Sequence, residues 1–389
     1  MAKLGEVCLI NPKSCTLRDD TEVSFIPMTK VGEHGEFDAS EIKNYSEVKK
    51  GFTNFQNGDI LFAKITPCME NGKGAIAHNM KNGIGFGSTE FHVLRPDTDK
   101  ITSEWLYYLT TWKTFRKEAE RNMTGSAGQK RVPKTFLENY VVNLPDIDTQ
   151  KSENKILRKV DDLIFLRKQQ LAKLDELVKA RFVEMFGDVL LNSMQWPEKT
   201  LENMADIVSG ITKGRKTAEA DLQEVPYMAV SNVKDGYIDW TTVKTILATR
   251  QEIEQYRLMP DDILMTEGGD PDKVGRGAII KVPLKNSIHQ NHIFRVRLDE
   301  QEILPSFFAE YLRHQKAKRY FLGCAKQTTG IASINMRQLR ALPTLVPPLS
   351  LQKQFAAFVE RVDRQKQTIQ QSLEKLELMK KALMQEYFG

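Results

Sequence analysis

The sequence predicts an α/β (α+β) fold in which two similar mixed α/β domains are separated by two long antiparallel coiled-coil helices. Three observations lead to this prediction: an internal repeat, short β-type runs in the first part of each copy, and a periodic apolar pattern in the second part. With 389 residues, the chain has room for two or more domains. We expect globular domains at 1–146 and 189–348, and long helices at 147–188 and 349–389.

The chain repeats itself with a period of about 200 residues, and such a relation has to be found before any fold is assigned. A single match would be chance, but many matches occur in the same order with small drifts in offset. Drifts of this kind are expected where surface loops gain or lose residues. The matched segments include 4–10 with 201–207, 58–61 with 261–264, 72–76 with 275–279, 124–125 with 329–330, 150–151 with 352–353, and 186–187 with 388–389.

The first part of each copy contains short runs of β-forming residues that are interrupted by Gly, Pro, Asn and Asp. This pattern is typical of strands joined by turns. Helical stretches follow the strands, so each copy is predicted to form a mixed domain with a mainly antiparallel or mixed sheet. The strand runs include 59–65, 91–94, 262–266 and 292–298, and the helical stretches lie near 103–121 and 305–321.

The second part of each copy has apolar residues at alternate steps of three and four, which is the seam of a coiled coil. Arg167 interrupts the first seam, and Lys366 and Lys380 interrupt the second. Roughly 34 residues of helix would make a rod of about 50 Å. The seam residues are Leu157, Val160, Ile164, Leu171, Leu174, Val178 and Met185 in the first copy, and Phe355, Val359, Val362, Ile369, Leu373, Leu376, Leu383 and Tyr387 in the second.

The order domain, helix, domain, helix has a geometric consequence. Two equal units are most simply related by a twofold axis. An axis perpendicular to the helices makes them antiparallel and places the two domains at opposite ends of a spacer. Two similar domains at a fixed separation suit an object with two separated sites, and duplex DNA is such an object.

Composition sets broad limits on the class of protein. The net charge of +5 permits nucleic-acid binding without requiring it. The four cysteines form no CxxC pair, and no Cys/His cluster has the spacing of a zinc site. The first residues lack a secretory signal pattern, and no apolar run approaches the roughly 20 residues of a membrane span. We therefore expect a cytoplasmic protein without a membrane interaction.

One motif carries a family resemblance. The segment VPPLSLQKQF at 346–355, followed by Val362-Asp363, resembles the helix-start signature of the specificity (S) subunits of Type I restriction-modification systems. The first copy has a weaker version from 144–147 to Val160-Asp161, without the second proline. GDIL at 58–61 and a Thr-Gly pair before a Leu-rich stretch at 329–342 are further matches. The resemblance covers essentially the whole chain.

The resemblance implies a non-enzymatic DNA-binding protein that directs DNA methylation and restriction. Each globular domain would be a target-recognition domain that reads one half of a bipartite site in double-stranded DNA. The helices would set the spacing of the half-sites and dock two methyltransferase (M) subunits, which restriction (R) subunits join. No cofactor is expected on this chain, because S-adenosylmethionine, ATP and magnesium would be held by the partner subunits.

Base reading requires polar side chains directed at base edges, together with Lys and Arg on phosphates. Two loops of each copy combine such residues with glycines, which allow the backbone to approach a phosphate closely. Basic residues on the predicted helices, around Arg116 and around Lys318, are further candidates for phosphate contact. The candidate DNA-binding residues are Lys64, Thr66, Asn71, Lys73, Ser126, Gln129, Lys130 and Arg131 in the first copy, and Thr266, Glu267, Lys273, Arg276, Lys326, Gln327, Thr328 and Thr329 in the second.

The segments that resemble catalytic motifs do not fit those motifs. The only double proline, Pro347-Pro348, follows Val346 and does not fit an adenine methyltransferase motif. The glycines of 210–217 have the wrong spacing for a phosphate-binding loop. Three alternatives remain open: a coiled-coil scaffold that binds only proteins, a reader that works with a fused methyltransferase-nuclease, and a self-sufficient metal-dependent nuclease. No catalytic or metal-binding residue is predicted.

Overall fold

The computed structural model describes residues 1–126, 128–214, 222–328 and 330–389, with only the backbone of Asp272, Gln327, Thr328 and Ile331. The described chain forms two compact units. Unit 1 comprises Met1–Lys168 and Gln371–Gly389, and unit 2 comprises Gln169–Gln370. Each unit therefore contains one globular domain and parts of both long helices.

The strands are short, as the frequent turn residues of the sequence predict. They are β1 (Ala2–Lys3), β2 (Cys8–Ile10), β3 (Glu22–Ile26), β4 (Ile42–Asn44), β5 (Thr53–Gln56), β6 (Ile60–Ala63), β7 (Gly74–Ile76), β8 (Ile84–Gly87), β9 (Phe91–Pro96), β10 (Val141–Val142), β11 (Glu198–Thr200), β12 (Ala205–Ser209), β13 (Gln223–Met228), β14 (Lys244–Ala248), β15 (Ile263–Thr266), β16 (Gly268–Gly269), β17 (Gly277–Ile279), β18 (Ile288–His289), β19 (Ile293–Leu298), β20 (Lys326–Thr328), β21 (Ile331–Ser333) and β22 (Pro343–Leu345).

Most helices are also short, with two long exceptions. They are α1 (Leu4–Val7), α2 (Tyr45–Val48), α3 (Ser103–Thr111), α4 (Lys113–Arg121), α5 (Lys134–Asn139), α6 (Ile147–Phe186), α7 (Arg250–Tyr256), α8 (Pro305–Arg313), α9 (Gln315–Cys324), α10 (Met336–Arg340) and α11 (Leu349–Phe388). No helix among the described residues is both long and apolar enough to cross a membrane.

The two globular domains share one sheet topology. Unit 1 has a four-stranded sheet of order β2-β9-β6-β7, and unit 2 has the matching order β12-β19-β15-β17. In both sheets the neighbouring strands are antiparallel. A second sheet in each domain contains one parallel pair, β3 with β8 and β13 with β18. The predicted internal repeat and mixed sheets are confirmed.

A buried ion pair occupies the same place in both four-stranded sheets. Asp59 and Asp262 precede β6 and β15, and each carboxylate is about 1 % exposed. Arg95 donates two 2.8 Å hydrogen bonds to Asp59, and Arg297 does the same to Asp262. The two-point geometry of guanidinium and carboxylate fixes the end of one strand against its neighbour. The shared DIL segment therefore has a structural role in both domains.

The long helices α6 and α11 each contain 40 residues, which corresponds to about 60 Å. In unit 1 their segments run antiparallel, because Asp161 pairs with Lys380 at 2.6 Å and Lys168 pairs with Glu377 at 3.7 Å. Leu157 and Met384 are buried there in the same core cluster. The antiparallel helix pairing predicted from the repeat is thus present in this unit.

The same pairing occurs in unit 2. Asp175 accepts a 2.7 Å hydrogen bond from Lys366, and Phe182 packs edge-on against Phe355 at 5.4 Å. The lysines that interrupt the second apolar seam, Lys366 and Lys380, are therefore the cationic halves of inter-helix ion pairs. A polar residue in such a seam fixes the register of the helices at some cost in stability.

A buried glutamine joins each long helix to its globular domain. The Gln150 side chain accepts a 2.9 Å hydrogen bond from the backbone N–H of Thr102 and donates to the carbonyls of Lys100 and Pro145. The Gln352 side chain makes the equivalent set of bonds with Leu304, Glu302 and Pro347. Both glutamines are fully buried. They are the glutamines of the helix-start motif, so the motif is a structural joint.

Candidate nucleic-acid interface

The two loops that the sequence singles out in the first copy lie side by side in unit 1. Loop 64–73 follows β6, and hairpin 124–131 folds back on itself through the pair Thr124 and Arg131. Ile65 bridges to Arg131, and the N–H of Thr66 donates to the carbonyl of Lys130 over 3.0 Å. Backbone hydrogen bonds therefore hold both loops in one surface.

Helix α4 completes this surface. Thr66 and Glu70 from loop 64–73, Gly128 and Lys130 from hairpin 124–131, and Lys117, Glu120, Arg121 and Met123 from the region of α4 line a cleft of about 670 Å³. Three cations and two carboxylates thus share the cleft. An exposed surface with this mixture can contact phosphates through the cations and accept hydrogen bonds from base amino groups through the carboxylates. We call these eight residues the unit 1 cleft.

The remaining candidates of unit 1 have different surroundings. Asn71, Ser126 and Gln129 are exposed, whereas the Lys73 ammonium donates to the carbonyl of Met28 at 3.2 Å. Arg131 binds Glu90 through two 2.9 Å hydrogen bonds. These bonds lower the pKa of Glu90, and burial, together with Arg131, lowers the pKa of the neighbouring Lys64. Arg131 is therefore partly committed to a contact within the domain, and Lys64 is half-buried beside this pair.

Unit 2 builds the equivalent surface as a small sheet. Strand β16, from loop 266–276, pairs with β21, and β21 pairs with β20 to form hairpin 326–333. Ser333 is opposite both Gly268 and Lys326, just as Arg131 is opposite both Ile65 and Thr124 in unit 1. The convergence of the two loops is thus a property of both domains.

The candidates of unit 2 are less uniformly accessible. Thr266 lies in β15 and is fully buried, so its hydroxyl is not available at the surface and we remove it from the candidate interface. Glu267 pairs with His292 at 2.5 Å, and Lys273 pairs with Asp270. Arg276 lines a cavity of about 210 Å³ with Lys273, Lys318 and Asp235. Lys326 is exposed in β20, the positions of Gln327 and Thr328 follow it in that strand, and Thr329 lies outside the described residues.

Strand register corrects one match in the repeat. Thr124 and Arg131 are seven residues apart, as are Lys326 and Ser333, so Gly128 is equivalent to Gly330. Both glycines have a left-handed backbone, with φ of +79° and +80°. Matching Gly125 to Gly330 by sequence was therefore wrong, because Gly330 lies at the point of its hairpin that Gly128 occupies in unit 1. The feature that the two hairpins share is a glycine with a left-handed backbone at the turn.

Sequence reasoning missed some residues of the interface and misplaced another. Glu90 and His292 occupy equivalent positions, since their carbonyls accept from the N–H groups of Lys64 and Glu267. No sequence motif marks either residue. Arg116, taken from the sequence as a candidate for phosphate contact, is only 7 % exposed and points into the domain. A basic run on a helix does not reveal which of its members faces inward.

No group of three or more potential metal ligands occurs among the residues that the structure describes. Many charged side chains of the interface are paired within their domain or exposed, whereas Lys64 and Arg276 are half-buried. What the arrangement offers is a set of hydrogen-bond donors, acceptors and cations on two converging loops.

Comparison with known proteins assigns the family. A family model described as the Type I restriction modification DNA specificity domain matches residues 1–176 and 194–378. The chain is 43% identical over 210 residues to the EcoAI specificity subunit of Escherichia coli, and 39% identical over 211 residues to the EcoEI specificity subunit of the same species. Each match covers 52% of this chain and 34% of the relative. The chain thus matches about a third of the length of these relatives.

Solved structures agree on the fold. A chain from a structural study of assembly and conformational transition of the type I R-M system has a TM-score of 0.59 at 16% identity, and the match covers 99% of this chain and 96% of that one. The S subunit from M. genitalium has a TM-score of 0.57 at 14% identity, with 100% and 95% covered. Because the family model matches most of the chain, the protein belongs to the family of Type I restriction modification DNA specificity domains.

Proposed function

We propose that this protein is the sequence-reading subunit of a Type I restriction-modification complex, and that each globular domain reads one half of a bipartite DNA site. The observation that carries the proposal is the convergence, in each unit, of two loops that belong to equivalent positions of the repeat. Family membership supports the same role. The subunit itself is proposed to have no catalytic activity.

The two interfaces differ in charge and should read different half-sites. The unit 1 cleft contains three cations, and cationic side chains favour phosphates and the acceptor edge of guanine. The equivalent of Lys64 in unit 2 is Glu267, whose carboxylate can accept from the amino group of cytosine. A charge reversal at one equivalent position thus supports an asymmetric target.

Partner subunits are proposed to dock on the long helices. In unit 1, α6 and α11 both expose large apolar side chains outside their seams, whose residues are buried or half-buried. Exposed apolar side chains that lie close together mark interaction surfaces. We propose that a methyltransferase subunit covers them, that S-adenosylmethionine, ATP and magnesium belong to the methyltransferase and restriction partners, and that the assembly acts on DNA in the cytoplasm. The exposed residues are Ile156, Leu163, Phe165, Leu166, Leu378 and Met379.

Mapping of methylated adenine in cells tests the proposal. Cells that carry this protein with its methyltransferase subunit are expected to methylate a two-part motif with an unspecified spacer. Deleting this protein alone should abolish methylation at that motif. Methylation that persists unchanged after the deletion would contradict the reader role, and the same result would favour a scaffold that binds only proteins.

Lys130 provides a direct test of the unit 1 cleft. Its side chain is exposed and has no carboxylate partner within the described part of the chain. Lys130→Ala is expected to weaken DNA binding by the assembled complex and to reduce the slope of log K against log salt by about 0.9, because one phosphate contact is lost. Lys50→Ala, which removes another exposed cation of the same domain, is the matched control and should leave the slope unchanged. An unchanged slope in Lys130→Ala would exclude a phosphate contact.

A further inference from the structure

Arg116 is a buried cation that makes no ion pair among the described residues. It lies on α4, is 7 % exposed, and its guanidinium stands 4.9 Å from the ring centre of Phe62. Burial lowers its pKa to about 10, so the side chain stays protonated at neutral pH. A buried charge without a carboxylate is costly unless hydrogen bonds satisfy it. The hydrogen-bond partners of Arg116 therefore indicate its structural role.

Those partners are backbone carbonyls, and two of them belong to loop 64–73. The Nη1 atom donates to the carbonyl of Met69 at 2.7 Å, and both Nη atoms lie 3.4 Å from the carbonyl of Lys73. The Nε atom donates to the carbonyl of Thr110 at 2.8 Å, at the end of α3. One rigid side chain thus ties the loop to the helical layer of the domain.

The loop also packs on that layer, because the side chain of Met69 is fully buried in the core cluster that includes Phe115 and Ala119 of α4, but Arg116 supplies the hydrogen bonds that hold its Met69 and Lys73 carbonyls. Most of its internal hydrogen bonds are local turns, such as those from Asn71 N to Pro67 O and from Gly72 N to Met69 O. The Met69 and Lys73 carbonyls flank Asn71, which is exposed, and the loop also supplies Thr66 and Glu70 to the unit 1 cleft. Displacing these two carbonyls would move the side chains that face DNA in the proposed function.

Unit 2 does not repeat this arrangement. Lys318 stands at the equivalent position, because Arg116 and Lys318 are each four residues after the N-cap residues of α4 and α9. Lys318 is 37% exposed and pairs with Asp235 at 3.5 Å. Among the residues that the structure describes, a buried arginine that holds two carbonyls of the loop therefore occurs only in the first domain.

We propose that Arg116 is a positioning residue that fixes the conformation of loop 64–73 and thereby determines which bases the first domain accepts. The inference rests on the proposed function. It predicts that the two half-sites respond differently to a change at this position, because Lys318, the equivalent residue of the second domain, pairs with Asp235 instead.

The test combines methylation mapping with hydrogen exchange, using the full chain with its methyltransferase subunit. Arg116→Met keeps an apolar stem of similar length but removes every donor. In the half of the methylated motif that the first domain reads, discrimination against incorrect bases is expected to fall about tenfold. One well-placed base contact contributes about that much discrimination. The other half should stay unchanged. Amides of loop 64–73 should exchange faster, while β6 and β9 stay protected.

Two further variants make the result decisive. Lys50→Met removes an exposed cation of the first domain that lies outside both loop 64–73 and the unit 1 cleft, and it should leave both half-motifs and loop exchange unchanged. Arg116→Lys retains a cation that cannot span both carbonyls, and should give intermediate loop exchange and an intermediate motif. A wild-type motif in Arg116→Met would overturn the inference. If Arg116→Met loses protection from exchange throughout the first domain, the result with Arg116→Lys is used instead. Faster amide exchange in loop 64–73 of Arg116→Lys, with an unchanged methylated motif, would also overturn the inference. A wild-type complex without any two-part motif would instead contradict the proposed function.

Discussion

Replacing Phe182 by alanine is expected to lower the free energy of unfolding of unit 2 by about 4 kcal/mol, the usual cost of emptying a buried phenylalanine site. Phe182 is fully buried in α6, and its ring stacks on His314 at 4.5 Å and on Phe307 at 5.3 Å. Phe186 and Phe355 pack against the same ring at 4.9 and 5.4 Å. The cluster joins both long helices to the globular domain, so neighbouring elements cannot easily collapse into the cavity.

Hydrogen exchange at increasing denaturant concentration measures this effect separately for each unit. Peptides from β12, β15 and β19 report on unit 2, and peptides from β6 and β9 serve as an internal reference in unit 1. Phe165→Ala is the matched control, because Phe165 lies on the same helix but is 59% exposed. Its expected effect is within about 0.5 kcal/mol. Equal effects of the two substitutions would show that the aromatic cluster does not hold unit 2 together.

The long helices could be predicted from the sequence because their signal is local and repeated. Every predicted seam position is at least half-buried in its own unit. The prediction did not include Phe182 or Phe186, which are buried although they lie beside the seam. A helix that packs against both a partner helix and a globular domain buries a wider stripe than a coiled coil requires. The apolar period alone does not show where this second contact begins.

The candidate site could be predicted only at the level of loops. Equivalent positions in the repeat and a concentration of Gly and polar residues identified loops 64–73 and 266–276, and both lie against their hairpins. Individual side chains were not predictable. Thr266 ends a strand whose four residues are all buried, and Arg116 differs from Lys117 only by the face of α4 that it occupies. Burial depends on tertiary packing, which a run of like charges does not encode.

The helix-start glutamines are a case in which the motif was visible but its physical role was not. Gln352→Ala is expected to destabilise unit 2 by about 3 kcal/mol, because one N–H and two carbonyls in partly or fully buried surroundings lose their partner. The N–H of Leu304 loses a 2.8 Å hydrogen bond, and the carbonyls of Pro347 and Glu302 lose bonds of 2.8 and 3.2 Å. Gln150→Ala should destabilise unit 1 by a similar amount, since its bonds have the same pattern.

Gln354→Ala is the matched control for this prediction, since Gln354 lies two residues further along α11 and is exposed. Its effect on the free energy of unfolding should stay within about 0.5 kcal/mol. Exchange of the amides of Leu304 and its neighbours should accelerate in Gln352→Ala before the strands of the sheet open. If Gln352→Ala and Gln354→Ala are equally stable, the glutamine does not join the helix to the domain. In that case the helix-start motif must be explained by contacts outside this chain.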